Sequence, residues 1–265
     1  MKPASLAARV RKERPGAGGT HFVLDVSIEI SPGFTILFGP SGAGKSTLLD
    51  CLAGLLRPDQ GRIAVGEYVL LDAQRGIDLP SQQRRIAYVF QALALFPHMN
   101  VHQNVAYGLA DLPEPQRLAR VKEALEAFRV DKLWKHKPAE ISGGERQRAA
   151  LARSLVTLPR VLLLDEPLTG LDAELKSSIV ADLRAWNAAH RIPILYVTHS
   201  REEVDALGEC VIAMDHGRII SEGSPRDVLD APRRRRLAQA AGFENLLSGG
   251  VVDLREPDGV GPGER

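Results

Sequence analysis

The 265 residues carry 34 Lys and Arg against 33 Asp and Glu, a net charge of +1, with 44% apolar and 25% charged residues. This balance excludes a disordered chain and argues against a general nucleic-acid binder, which shows a strong basic excess. The length suits one or two domains with a core that needs no disulfide. Two cysteines, Cys51 and Cys210, fit a reducing compartment. No apolar run approaches the roughly 18 residues that cross a bilayer. Residues 1–9 lack the apolar centre of a secretion signal, so the expectation is a cytosolic protein.

Residues 1–20 are basic and then Gly-rich, a strand start followed by a turn. Phe22, Leu24, Val26, Ile28 and Ile30 alternate with polar residues, the period of a half-buried strand. A buried strand is predicted over 34–38, then a glycine-rich turn and a helix over about 45–53. Strands follow to Phe90, including 62–65 and 85–90. The stretch 92–156 has helical periodicity, with Leu118, Val121, Leu125 and Phe128 as one stripe. Strand and helix then alternate: a strand over 161–164, a helix over 173–188 with Ile179, Leu183 and Trp186 on one face, a strand over 193–197, and two short strands over 210–214 and 218–220. This order predicts an α/β fold with a mainly parallel sheet, helices on both faces and a helical insertion at about 92–156. The Gly- and Pro-containing tail after Gly249 reads as poorly ordered.

Gly39, Pro40, Ser41, Gly42, Ala43, Gly44, Lys45 and Ser46 fit G-x-x-x-x-G-K-[ST] between a predicted strand and a predicted helix. Glycines let successive N–H groups curl inward onto phosphate oxygens, and the helix N-terminus adds positive partial charge there. Lys45 can reach the β- and γ-phosphates, and the Ser46 hydroxyl can coordinate Mg²⁺. The apolar strand 161–164 ends in Asp165 and Glu166. In a parallel sheet the carboxyl ends of the strands form the ligand crevice, which makes Asp165 a candidate for Mg²⁺ and Glu166 one for polarising an attacking water.

With these motifs in order, residues 20–230 resemble the nucleotide-binding subunit of ATP-binding-cassette (ABC) transporters. Ile141, Ser142, Gly143, Gly144 and Glu145 resemble the Leu-Ser-Gly-Gly-Gln signature, with departures at the first and last positions. Read from the residues alone, the same run is a helix tip able to hold an anion or a capping box between Ser142 and Glu145. The resemblance implies a P-loop NTPase core with an antiparallel β subdomain and a helical insertion, ATP and Mg²⁺ as cofactors, and ATPase activity. It also implies binding roles for Thr47, for Gln91 as the Q-loop glutamine touching Mg²⁺, and for Asp172 in the D-loop, and it implies that His199 is the switch histidine. Phe22 fits either adenine stacking or its strand's apolar face.

Cassettes of this family work in pairs, each ATP lying between one copy's phosphate loop and the other's signature. The resemblance therefore implies a homodimer, membrane permease subunits, indirectly a substrate-binding protein, and residence on the inner face of the membrane. Residues 92–100 are apolar enough either to line a docking groove or to pack into the core. The domain reading is a cassette over 1–230 and an extension over 231–265, whose segment 244–252 resembles the start of an oxyanion-binding regulatory domain, either in a natural short form or in a truncated chain. Segments 38–46, 84–91, 95–98 and 142–148 look most like molybdate importer ATPases; sulfate, iron, polyamine and sugar importers are alternatives. A soluble repair cassette is disfavoured because the span from Gln91 to Ser142 is too short for a long coiled coil, and a ribosomal one because there is one phosphate loop. The basic run 233–236 reads as a solvated helix face, with no nucleic-acid partner expected.

Overall fold

The alternating residues near the N-terminus form a ladder. In the computed structural model, which describes residues 4–15 and 21–229, β1 (Leu6–Pro15) runs antiparallel to β2 (His21–Ile30), with Val10 opposite Val26. Leu6, Val10, Leu24, Val26, Ile28 and Ile30 are buried on one face. β3 (Gly33–Phe38) then leaves for a second sheet. After α1 (Lys45–Ala53), the first sheet is completed by β4 (Gln60–Val65), β5 (Tyr68–Asp72) and β6 (Ile77–Asp78), in the order β2-β1-β4-β5-β6, antiparallel throughout.

The second sheet has six strands. β7 (Ile86–Val89), β8 (Val161–Asp165), β9 (Pro193–Val197), β10 (Cys210–Asp215) and β11 (Arg218–Gly223) join β3 in the order β11-β10-β3-β9-β8-β7. All pairings are parallel except the β10–β11 hairpin. Between β7 and β8 lie α2 (Val101–Ala106), α3 (Glu114–Ala127) and α4 (Gly143–Leu155); α5 (Ala173–His190), α6 (Arg201–Leu207) and α7 (Pro225–Leu229) follow.

Strand periodicity divides the parallel sheet between two cores. Phe34, Ile36, Phe38, Leu162, Leu164, Ile194 and Tyr196 pack with apolar residues of α2 to α7. Leu37, Val161, Leu163, Leu195 and Val197 pack on the other side with Leu48, Leu49 and Leu52 of α1 and the inner face of the first sheet. Helices thus cover one face as expected, but on the other face α1 is backed by an antiparallel sheet rather than by further helices.

Val121, Leu125 and Phe128 are buried, while Leu118, expected in the same stripe, is 48% exposed. The strand expected over 85–90 shortens to Ile86–Val89 because Arg85 adopts a left-handed φ of 53°. α6 was not anticipated: at seven residues it is too short to show a period. Among the described residues no helix is long and apolar enough to cross a membrane. The turn over 16–19, the basic run 233–236, the segment 244–252 and the tail lie outside the described residues.

Candidate functional site

β3 ends buried at Phe38, and the chain turns through 39–44 into α1. Gly44 has φ 102°, and a Cβ there would meet the Phe22 ring and the Met214 side chain, so only glycine fits. A side chain on Gly39 would run into the carbonyl of Met214. The loop is therefore pinned between β2 and β10. The carbonyl of Ala43 accepts the Gly217 amide at 2.9 Å. Lys45 Nζ reaches back across the loop and donates to the carbonyls of Gly39 (2.8 Å) and Pro40 (3.1 Å). Burial pushes the Lys45 ammonium pKa down, against the opposing charges of Glu166 and Asp165.

The parallel register of β8 brings its carboxyl end level with this loop. Ser46 Oγ donates to Asp165 Oδ2 at 2.9 Å, and Tyr88 OH donates to the same oxygen at 3.3 Å. Tyr88 stacks on Phe90 with ring centroids 4.1 Å apart. Burial, then Asp165 and Asp50, pushes its phenol upward, and burial likewise raises Asp50. Glu166 takes a left-handed φ of 45°, a strained setting for a non-glycine residue, held by its N–H donating to the Val197 carbonyl at 3.1 Å. His199 Nδ1 lies 3.4 Å from Glu166 Oε1.

A cleft of about 390 Å³ is lined by Arg14, Pro15, Phe22, Ser41, Gly42, Gly44, Lys45, Ser46, Thr47, Gln91, Asp165 and Glu166. The Phe22 ring packs partly buried against the inner core and also lines the cleft. A hydroxyl and a carboxylate oxygen 2.9 Å apart suit a hard cation. One hydroxyl and one carboxylate fit Mg²⁺, which is characteristically held by one or two protein oxygens together with waters and phosphate oxygens. A larger cavity, about 570 Å³, lies at the opposite ends of the parallel strands. Its Arg160 and Arg191 follow α4 and α5, where cations complement helix C-termini.

The signature-like residues and Asp172 do not line the cleft. Ser142 caps α4, its Oγ accepting the Glu145 amide (3.3 Å) while Glu145 Oε2 accepts the Ser142 amide (2.7 Å). Asp172 caps α5 by accepting the Leu175 amide at 2.9 Å. The two helix tips touch, because Leu175 packs on Gly144 so closely that a side chain there has no room. Sequence reasoning missed Tyr88 and Arg14, which fall on ordinary-looking strands; only the distance from Tyr88 to Asp165 marks them apart.

A family model described as "ABC transporter" matches residues 23–169. The chain belongs to the ABC transporter family. The molybdenum import ATP-binding protein of Paramagnetospirillum magneticum is 40% identical over 216 residues, covering 82% of this chain and 60% of its own length. The molybdate/tungstate import ATP-binding protein of Pyrococcus horikoshii is 39% identical over 228 residues, covering 85% and 64%. A spermidine/putrescine import ATP-binding protein of Methylococcus capsulatus is 41% identical over 246 residues, covering 91% and 62%. This family member therefore spans about three fifths of the length of these relatives. Among solved structures, a dimeric ATP-binding cassette in a post-hydrolysis state bound to ADP and Pi superposes with a TM-score of 0.70 at 28% identity, covering 84% of this chain and 99% of that one. The P-loop cassette fold expected from the motifs is the fold observed.

Proposed function

We propose that this chain is the ATP-hydrolysing subunit of an importer that carries a small oxyanion of the molybdate or tungstate class through a membrane permease. The observation that carries the reading is the meeting of Ser46 with Asp165 at 2.9 Å and of Glu166 with His199 at 3.4 Å on the rim of the phosphate-loop cleft. In this reading the loop amides and Lys45 hold the β- and γ-phosphates, Lys45 exchanging its carbonyl partners Gly39 and Pro40 for phosphate oxygens. Ser46, Asp165 and Gln91 would hold Mg²⁺, which would supply charge neutralisation for the phosphates. Glu166 polarises the attacking water and His199 steadies it beside the γ-phosphate, giving ADP and phosphate.

One chain holds half of this machinery, because Ser142, Gly143, Gly144, Glu145 and Asp172 stand off its own cleft. A second copy would bring its Ser142 helix tip, with its favourable dipole, onto the γ-phosphate. Residues 1–230 form the cassette in this scheme, with 92–156 as its helical part and 231–265 as an extension. The permease would seat against the helical part. A groove of about 730 Å³ there is lined by His98, Met99, His102 and the exposed Tyr107, while Leu93 and Leu95 pack against the core. The protein would then sit on the cytoplasmic face of the membrane and meet a substrate-binding protein only through the permease.

The import names of the first two relatives support the oxyanion reading. The spermidine/putrescine relative, matched over more of this chain, supports polyamine import as the second reading. Uptake by vesicles holding the reconstituted complex separates them. ATP-dependent molybdate accumulation that spermidine does not reduce is expected; spermidine accumulation without molybdate uptake reverses the assignment.

A further inference from the structure

His199 stands in a short loop between β9 and α6, and its backbone is enclosed by a closed ring of hydrogen bonds. Thr198 Oγ1 donates to Glu203 Oε2 at 2.8 Å, the Ser200 amide donates to Thr198 Oγ1 at 3.0 Å, and the Glu203 amide donates to Ser200 Oγ at 3.4 Å. Both neighbours of His199 are thus tied to one residue. Glu203 is 7% exposed, an unusual place for a carboxylate unless it is fully partnered. Its Oε2 also accepts from the wholly buried Tyr196 hydroxyl at 2.9 Å, and its Oε1 lies 3.0 Å from Lys176 Nζ. Lys176 sits in the first turn of α5, where its amide donates to the Asp172 carbonyl at 3.0 Å. One buried carboxylate therefore joins β9, the loop carrying His199 and the helix that begins at Asp172. A helix N-cap for α6 needs only Ser200; the strand hydroxyls and the α5 ammonium are more than capping demands.

We propose that Glu203 is a positioning residue for hydrolysis: it sets the His199 imidazole against Glu166 and, through Lys176, couples that setting to the start of α5. The proposal rests on the role given above to His199. Outer partners that orient a reacting group characteristically change rates by about ten- to a hundred-fold. Movement of the Asp172 turn, as when a second copy closes on it, pulls on Lys176 and hence on the loop that holds His199.

The test uses the full chain and compares Glu203→Gln, Thr198→Val and the hydroxyl-retaining Thr198→Ser with the parent and with His199→Ala. Turnover of ATP is expected to fall about tenfold or more in Glu203→Gln and Thr198→Val, with nucleotide affinity within about twofold of the parent and recovery in Thr198→Ser. In the His199→Ala background the same changes should lower turnover no further. The His199 ring resonance in a heteronuclear NMR spectrum should shift in Thr198→Val, while that of His21 stays in place. Where Glu203→Gln does not fold, the Thr198 pair alone decides. Normal turnover in folded Thr198→Val, or equal losses with and without His199, overturns the positioning role while leaving His199 in place. Normal turnover in His199→Ala overturns the underlying role of His199 and the proposal with it.

Discussion

In the proposed function Lys45 is held ready by groups it would leave for phosphate. Its ammonium is buried, satisfied by the carbonyls of Gly39 and Pro40, and faces two carboxylates. A charge-assisted contact to phosphate is worth about 1.5–3 kcal/mol. Lys45→Ala should therefore weaken ATP binding by about ten- to 150-fold in titration calorimetry; unchanged affinity would remove the loop from phosphate binding. Glu166 differs in kind. Its left-handed backbone is held by the Val197 carbonyl, so Glu166→Gln should keep the shape and remove the proposed base. Single-turnover hydrolysis should drop by about 10²–10⁴-fold with ATP still bound, and near-normal turnover would exclude Glu166 as the base. The phosphate loop, Asp165 and Glu166 of the candidate site were legible as residue types at a turn and a strand end where phosphate and metal chemistry is built, whereas His199 stood out only through the family resemblance. Tyr88 was not, since a tyrosine alternating along a strand looks like packing until its hydroxyl is seen 3.3 Å from Asp165.

Among the elements, α1 depends on a residue far from its own sequence. Arg84, 1% exposed, donates to the carbonyls of Cys51 and Leu52 at the end of α1 and to Leu79, and pairs with Asp78 at 2.9 Å. Arg84→Ala would strip those carbonyls and leave a cavity, so denaturant unfolding should show a loss of about 3 kcal/mol; a loss under about 1 kcal/mol would mean water replaces the guanidinium. The first turn of α4 should depend on pH. Backbone and side-chain bonds from Ser142 hold Glu145 below its ordinary value of 4.5. A carboxylate depressed by folding stabilises above its unfolded pKa and loses that stabilisation as pH falls through the folded one. Amide exchange at Ser142 should accordingly speed up below about pH 4.5, and Glu145→Ala should show that fast exchange already at neutral pH. Exchange that is pH-independent after correction for intrinsic rates would contradict the capping role. Period-2 strands and the long α5 were readable from pattern. Short α6 and the exposure of Leu118 were not, because both are decided by what packs against them.

For the molecule as a whole, two sheets with α1 between them bring the phosphate loop, the β8 carboxylates and the loop after β9 to one edge, while the Ser142 and Asp172 helix tips lie outside the cleft wall and against each other. Strand order by itself was only partly legible, since the antiparallel sheet pairs β1 with β4 across a long separation in sequence. The arrangement makes sense if the missing half of each nucleotide site comes from a second copy. Light scattering on the Glu166→Gln chain, with and without excess Mg²⁺ and ATP, decides this. Twice the monomer mass with nucleotide, reverting to one when Ser142→Arg blocks the helix tip, is the predicted result. Monomers throughout at saturating nucleotide would contradict it.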